Sequence, residues 1–208
     1  TFRNEIYKEY KANRPPPPED LQPQIPLVRL ATEALSIPWR EDRKYEDDDL
    51  IVLNKPPDLI VHPARGNKHG TLVNALAHYS EHLSSGLGEF RPGIVHRLDR
   101  NTTGVMVVTK HDMAQWKVAK QFELRQVEKS YLAIVHGTPE LTADRIDAPL
   151  GVHPKIREKY SIRPETGKEA VTFYEVVEAF RGFSLIHCKP RTGRTHQIRV
   201  HVNSIGHP

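Results

Sequence analysis

Cysteine is almost absent: Cys188 stands alone in 208 residues. A single thiol forms neither an internal disulfide nor a multi-cysteine zinc or iron–sulfur site, and it fits a reducing compartment. Long apolar runs are missing too. Leu59-Ile60-Val61 and Val105-Met106-Val107-Val108 are among the longest, far too short to span a bilayer, and no basic-then-apolar stretch opens the sequence at Thr1. The expectation is a soluble, cytoplasmic chain with no membrane partner. Histidine is abundant at 12 residues, yet no pair stands one helical turn apart with a glutamate beside it. His62, His96, His196 and His201 therefore read as structural or ligand-contacting side chains, and no metal is expected. We find no internal repeat.

The length suits one sizeable domain with at most a small appendage, and a formal net charge of +4 tilts the partner expectation toward a polyanion. Proline is plentiful and unevenly spread. Residues 1–45, with Pro15-Pro16-Pro17-Pro18, Pro23 and Pro26, read as an extended proline-rich arm or linker. From residue 46 onward the texture becomes that of a single domain. Leu50-Ile51-Val52-Leu53 reads as a buried strand, broken by Lys55-Pro56-Pro57-Asp58 before a second short strand at Leu59-Ile60-Val61. Leu72, Ala75, Leu76, Tyr79 and Leu83 recur at helical spacing behind Thr71. A second helix opens at Asp112, with Met113, Trp116, Ala119 and Phe122 on its core face. Strands follow over 131–135, 170–177 and 183–188. The closing stretch is ambiguous by period, but Thr195 as cap and Gly206 as terminator favour a helix. This order of elements suggests α+β with a mixed sheet.

One segment concentrates chemistry. Gly93-Ile94-Val95-His96-Arg97-Leu98-Asp99-Arg100-Asn101-Thr102-Thr103-Gly104 sets one acid between two arginines and follows it with turn-forming residues. Nearby cations favour an ionised carboxylate, and two guanidinium groups beside it suit a phosphodiester held over a nucleophile. An arbitrary Asp between arginines is more often a surface salt bridge. Here, however, Val105 to Val108 follow at once, so the acid lies just before a strand that reads as buried.

Two further segments join it: Asn54-Lys55-Pro56-Pro57-Asp58-Leu59-Ile60-Val61-His62-Pro63 before, and Thr192-Gly193-Arg194-Thr195-His196-Gln197-Ile198-Arg199-Val200-His201 after. Together, and in that order, the three resemble the RluA-type RNA pseudouridine synthases. Lys129-Ser130-Tyr131-Leu132-Ala133-Ile134-Val135-His136-Gly137 extends the likeness, since the family has an active-site tyrosine there. The helix from Leu72 and the stretch Gly167-Lys168-Glu169-Ala170 are similar to the RluD-like ribosomal RNA branch. The resemblance covers roughly residues 45–208.

The resemblance implies a pseudouridine synthase catalytic domain over 46–208, α+β with a mixed, largely antiparallel sheet flanked by helices and loops. It implies an isomerase for RNA, most often large-subunit ribosomal RNA, working without cofactor or metal: the uracil–ribose bond breaks, the base rotates, and it is rejoined through carbon. Asp99 is then the catalytic carboxylate, attacking either the ribose or the uracil ring, and Arg199 its ionising partner. Tyr131 stacks on the base or completes the pocket. Arg97 holds the flipped nucleotide. From the residues themselves, Lys55, either a turn lysine or a phosphate contact, is read as the latter beside the pocket motif, Arg191 and Arg194 as RNA contacts rather than solvated charge, and Arg100, His196 and Gln197 as substrate contacts. Flipping exposes reacting atoms that stacking shields, at a cost of roughly a few kcal/mol. The family pattern continues beyond Pro208, so the resemblance also implies a catalytic domain shortened at its C-terminal end, expected as a monomer.

A rival reading is a non-catalytic RNA-binding or ribosome-assembly protein of the same fold. Asp99, Tyr131 and Arg199 together speak against it, because binding alone has no use for an acid that repels RNA phosphates. A carboxylate-dependent hydrolase would want a second acid opposite Asp99, and neither Asp58 nor Asp112 has motif support for that role.

Overall fold

A computed structural model describes residues 45–63, 67, 69–79 and 93–208; the proline-rich arm, apart from Tyr45, lies outside them. The chain forms two compact units, Thr1–Leu124 and Arg125–Pro208.

In the first unit, strand β2 (Leu50–Lys55) alternates half-buried and buried positions, so Ile51, Leu53 and Lys55 share the inward face. It lies between β1 (Tyr45–Glu46) and β3 (Gly104–Thr109), antiparallel to both. The turn from β1 is an Asx turn: Asp47 Oδ1 accepts from the amides of Asp49 and Leu50. The apolar run of β3 does not bury whole. Met106 and Val108 point inward at 0% exposure while Val105 is 67% exposed, as expected of a strand with one covered face.

Leu59, Ile60 and Val61 form no strand, although Leu59 and Val61 are buried. Two of their carbonyls meet a helix instead. Ile60 O and Val61 O accept from the amides of Leu72 and Val73, the orphan donors at the start of α1 (Leu72–Tyr79). Thr71 caps that helix, its hydroxyl taking the Asn74 amide while the Asn74 side chain takes the Thr71 amide. Residues 80–83 of the expected helix lie outside the described residues.

Helix α2 (Asp112–Glu123) is capped by the His111 ring, which accepts from the Ala114 amide. Only part of the expected Met113-Trp116-Ala119-Phe122 face turns inward, Ala119 and Phe122 being half-buried. Ala114 and Gln115 are buried and Phe122 stacks on the His96 ring, which turns Met113 and Trp116 outward at 58% and 63% exposure. A small Ala on the inner face lets the helix approach closely; Trp there would not.

In the second unit a four-stranded antiparallel sheet runs β4 (Tyr131–His136), β9 (Phe183–Pro190), β8 (Val171–Phe180), β5 (Ala143–Asp147). β6 (Leu150–Val152) and β7 (Tyr160–Ile162) form a separate hairpin. All pairings among the described strands are antiparallel. Strand β5 carries little apolar signal, with Ile146 its one buried residue, and is an edge strand. Val135, Ile146, Tyr174, Ile186, Cys188 and Val202 make the core of this unit. There burial pushes the Cys188 thiol up to about 11, so it is an inert packing group.

The ambiguous last stretch is helix α3 (Gln197–Ser204). It closes with a Schellman motif: Gly206, at φ +86°, donates to Asn203 O and His207 to Val202 O. Thr195 is not its cap; His196 is, in the left-handed region at φ +55° and without a side-chain cap bond.

Candidate active site

In the first unit the backbone gathers Lys55, Arg97, Asp99 and Arg100. Asp99 sits half-buried in the loop before β3, between the buried Leu98 and a turn closed by the Thr102 amide on Asp99 O. The same loop is pinned at His96, whose Nε2 accepts from the Val107 amide at 2.9 Å while its ring stacks on Phe122. His96 is therefore a structural histidine. Arg97 is exposed, and Arg100 reaches Asp58 at 2.6 Å across the surface. Asp58 takes the left-handed conformation at φ +61°, as turn-forming Asp residues do at modest strain.

Lys55 departs from the expected phosphate contact. It is fully buried at the end of the inward stripe Ile51-Leu53-Lys55, and its ammonium donates to Pro56 O, Leu59 O and Arg100 O at 2.8, 2.9 and 2.9 Å. All three N–H donors of an ammonium are thereby used. Burial pushes this amine below its ordinary range, and the negative charges of Asp99 and then Asp58 act in the opposite sense. Lys55 is thus a positioning residue. It staples the strand end, the Pro-Pro turn and the Asp99 loop together, and puts a fixed positive charge behind the carboxylate.

The second unit carries Tyr131, Arg194, His196, Gln197 and Arg199, of which the structure joins Arg194 and Gln197 by a hydrogen bond. Tyr131 begins β4, pairs with Cys188 and packs half-buried against the core. Arg199 projects from α3 as an exposed side chain. Arg194 Nε donates to Glu169 O at 3.0 Å. The His196 ring meets Tyr160 edge-on.

Gln197, expected at the substrate, is buried. Its Oε1 accepts from the Thr192 hydroxyl and the Arg194 amide; its Nε2 donates to Val171 O and the Thr172 hydroxyl. The amide has no capacity left for RNA, so Gln197 fastens α3 and the loop before it to β8. His201, one turn on, is equally buried between the Thr172 hydroxyl and Ala148 O. Period-2 reading of β2 carries the signal for Lys55's burial; nothing local in the sequence marks Gln197.

The RNA pseudouridylate synthase family model matches residues 49–204. That stretch holds both clusters, and the chain belongs to this family. It is 44% identical over 178 residues to an uncharacterized RNA pseudouridine synthase of Bacillus subtilis, covering 86% of this chain and 58% of the relative. It is 49% identical over 164 residues to ribosomal large subunit pseudouridine synthase D of Nitrosomonas europaea, covering 79% and 46%. The chain thus spans about half the length of the curated relatives it matches. Among solved structures, human RNA pseudouridylate synthase domain containing 1 aligns at TM-score 0.63 and 28% identity, over 79% of this chain and 64% of that one. A second family model, of the N-terminal resolvase-like domain of a 5'-3' exonuclease, matches residues 1–54. Leu50 to Asn54 of that match pair in continuous register with β3.

Proposed function

We propose that the protein isomerises uridine to pseudouridine in RNA, in large-subunit ribosomal RNA by likeness to its relatives, with Asp99 as the catalytic carboxylate. The observation that carries this reading is the build of the Asp99 loop. A buried ammonium spends every donor on the backbone around the acid, a rigid first step toward covalent carboxylate chemistry. Arg97, exposed two residues away, suits the phosphate of a flipped nucleotide. Tyr131 and Arg199 take the base-stacking and charge-pairing roles that the family resemblance implies. In this reading the protein acts as a cytoplasmic monomer.

Tritium release from uracil-labelled RNA tests it. Asp99→Asn abolishes release and leaves RNA binding largely intact. Undiminished release by the variant would remove Asp99 from its role. No release by the wild type from total cellular RNA would favour a non-catalytic RNA-binding protein.

A further inference from the structure

Arg194 of the second unit's candidate set also joins Arg125, Arg191 and Lys129 in a basic group: the three arginines act on one carboxylate, Glu169, and Lys129 feels Arg125 and Arg194. Arg125 holds Glu169 with a two-pronged fork, Nη1 to Oε1 at 3.2 Å and Nη2 to Oε2 at 2.9 Å. Arg194 Nε takes the backbone carbonyl of the same residue at 3.0 Å. Lys129 is anchored beside them, its ammonium donating to Thr192 O at 2.8 Å in the loop that carries Arg191 and Arg194. Arg191 is exposed and its guanidinium makes no hydrogen bond among the described residues. The groups feel one another. The hydrogen bond and charge of Arg125, then Arg194 and Arg191, hold the Glu169 carboxyl below its usual range, while burial and then the charges of Arg125 and Arg194 push the Lys129 amine down.

We propose that this cluster is a seat for an RNA phosphodiester, with Glu169 as its resident counter-ion: the carboxylate fills the Arg125 fork in the free protein and gives it up to a phosphate when RNA binds. The inference rests on the RNA reading above. A guanidinium fork fits a phosphate as well as a carboxylate. The Arg125–Glu169 pair is largely exposed, at 43% and 58%, so holding it closed contributes little and exchange is easy. Four cations drawn together against a single carboxylate leave an excess of positive charge that only an anion relieves.

The test uses the full chain, fluorescent polyuridine RNA and a salt titration. Glu169→Gln binds several-fold tighter than wild type. Arg125→Ala binds several-fold weaker, and its plot of log affinity against log salt is shallower by roughly 0.7, one phosphate's worth on a single strand. Arg125→Lys keeps the slope. The proposal is overturned if Glu169→Gln and Arg125→Ala both bind as wild type, or if both bind weaker, which marks the pair as a structural clasp. Wild type that ignores polyuridine and cellular RNA alike fails the RNA reading itself; wild type that binds while the variants match it fails this inference alone.

Discussion

Lys55 shows how far a single side chain departs from the role its sequence neighbourhood suggests. Next to a Pro-Pro turn and in a basic chain, a lysine reads as a solvated phosphate contact, yet two-residue alternation from Ile51 already aims it inward. Replacing it with Met keeps the volume and leaves three carbonyls without their donor. An unsatisfied buried polar group costs about 1–3 kcal/mol, partly offset because the buried charge also disappears. We expect Lys55→Met to lower stability by about 1–3 kcal/mol in urea unfolding, and to reduce turnover further than that loss explains because the Asp99 loop loosens. Full turnover in the variant would show that the staple is unnecessary. Gln197 was illegible for a different reason. Its partners Thr192, Val171 and Thr172 are brought to it by the β8–β9 pairing, and no local pattern announces a long-range network.

At the level of elements, strands β2, β4, β8 and β9 and helix α3 were readable from apolar alternation and from the Gly206 stop. What escaped depended on partners. Leu59 to Val61 has the composition of a strand, but the carbonyls of Ile60 and Val61 are claimed by the first amides of α1 and that of Leu59 by the Lys55 ammonium. The α2 stripe steps by three residues and so drifts around the helix: its Ala119–Phe122 end faces inward, Phe122 on the His96 ring, while Met113 and Trp116 have turned outward. Gly93 illustrates a different dependence. It sits at φ +68°, its carbonyl takes the Thr109 amide, and an added Cβ would lie 2.4 Å from Thr109 O and 2.9 Å from a Val108 methyl. Both backbone strain and collision with β3 follow, so Gly93→Ala should destabilise the first unit by about 2 kcal/mol or more, read by thermal unfolding. A variant as stable as wild type would mean the turn relaxes freely.

For the whole molecule, pH is the lever that reaches the core of the second unit. Burial pushes His201 below its ordinary range, against smaller opposing effects of the Ala148 carbonyl and Asp147. The unfolded chain then binds a proton that the folded one resists, so stability is full above the ordinary histidine range near pH 6.5 and falls as pH drops through it. Denaturation midpoints between pH 7.5 and about 5 should decline in wild type, with a weaker decline in His201→Gln; parallel curves would remove His201 from the account. At this scale the resemblance carried most of what sequence could offer. Asp99 and Lys55 fall in one compact unit, Tyr131 and Arg199 in the other, and composition alone joins none of them. Lys55 bears on the first unit as a whole in one more respect. Its amine is sealed from solvent, so an acylating reagent reaches it only when β2 and the two loops come apart, and the rate at which that nitrogen is labelled becomes a clock for opening of the fold around Asp99.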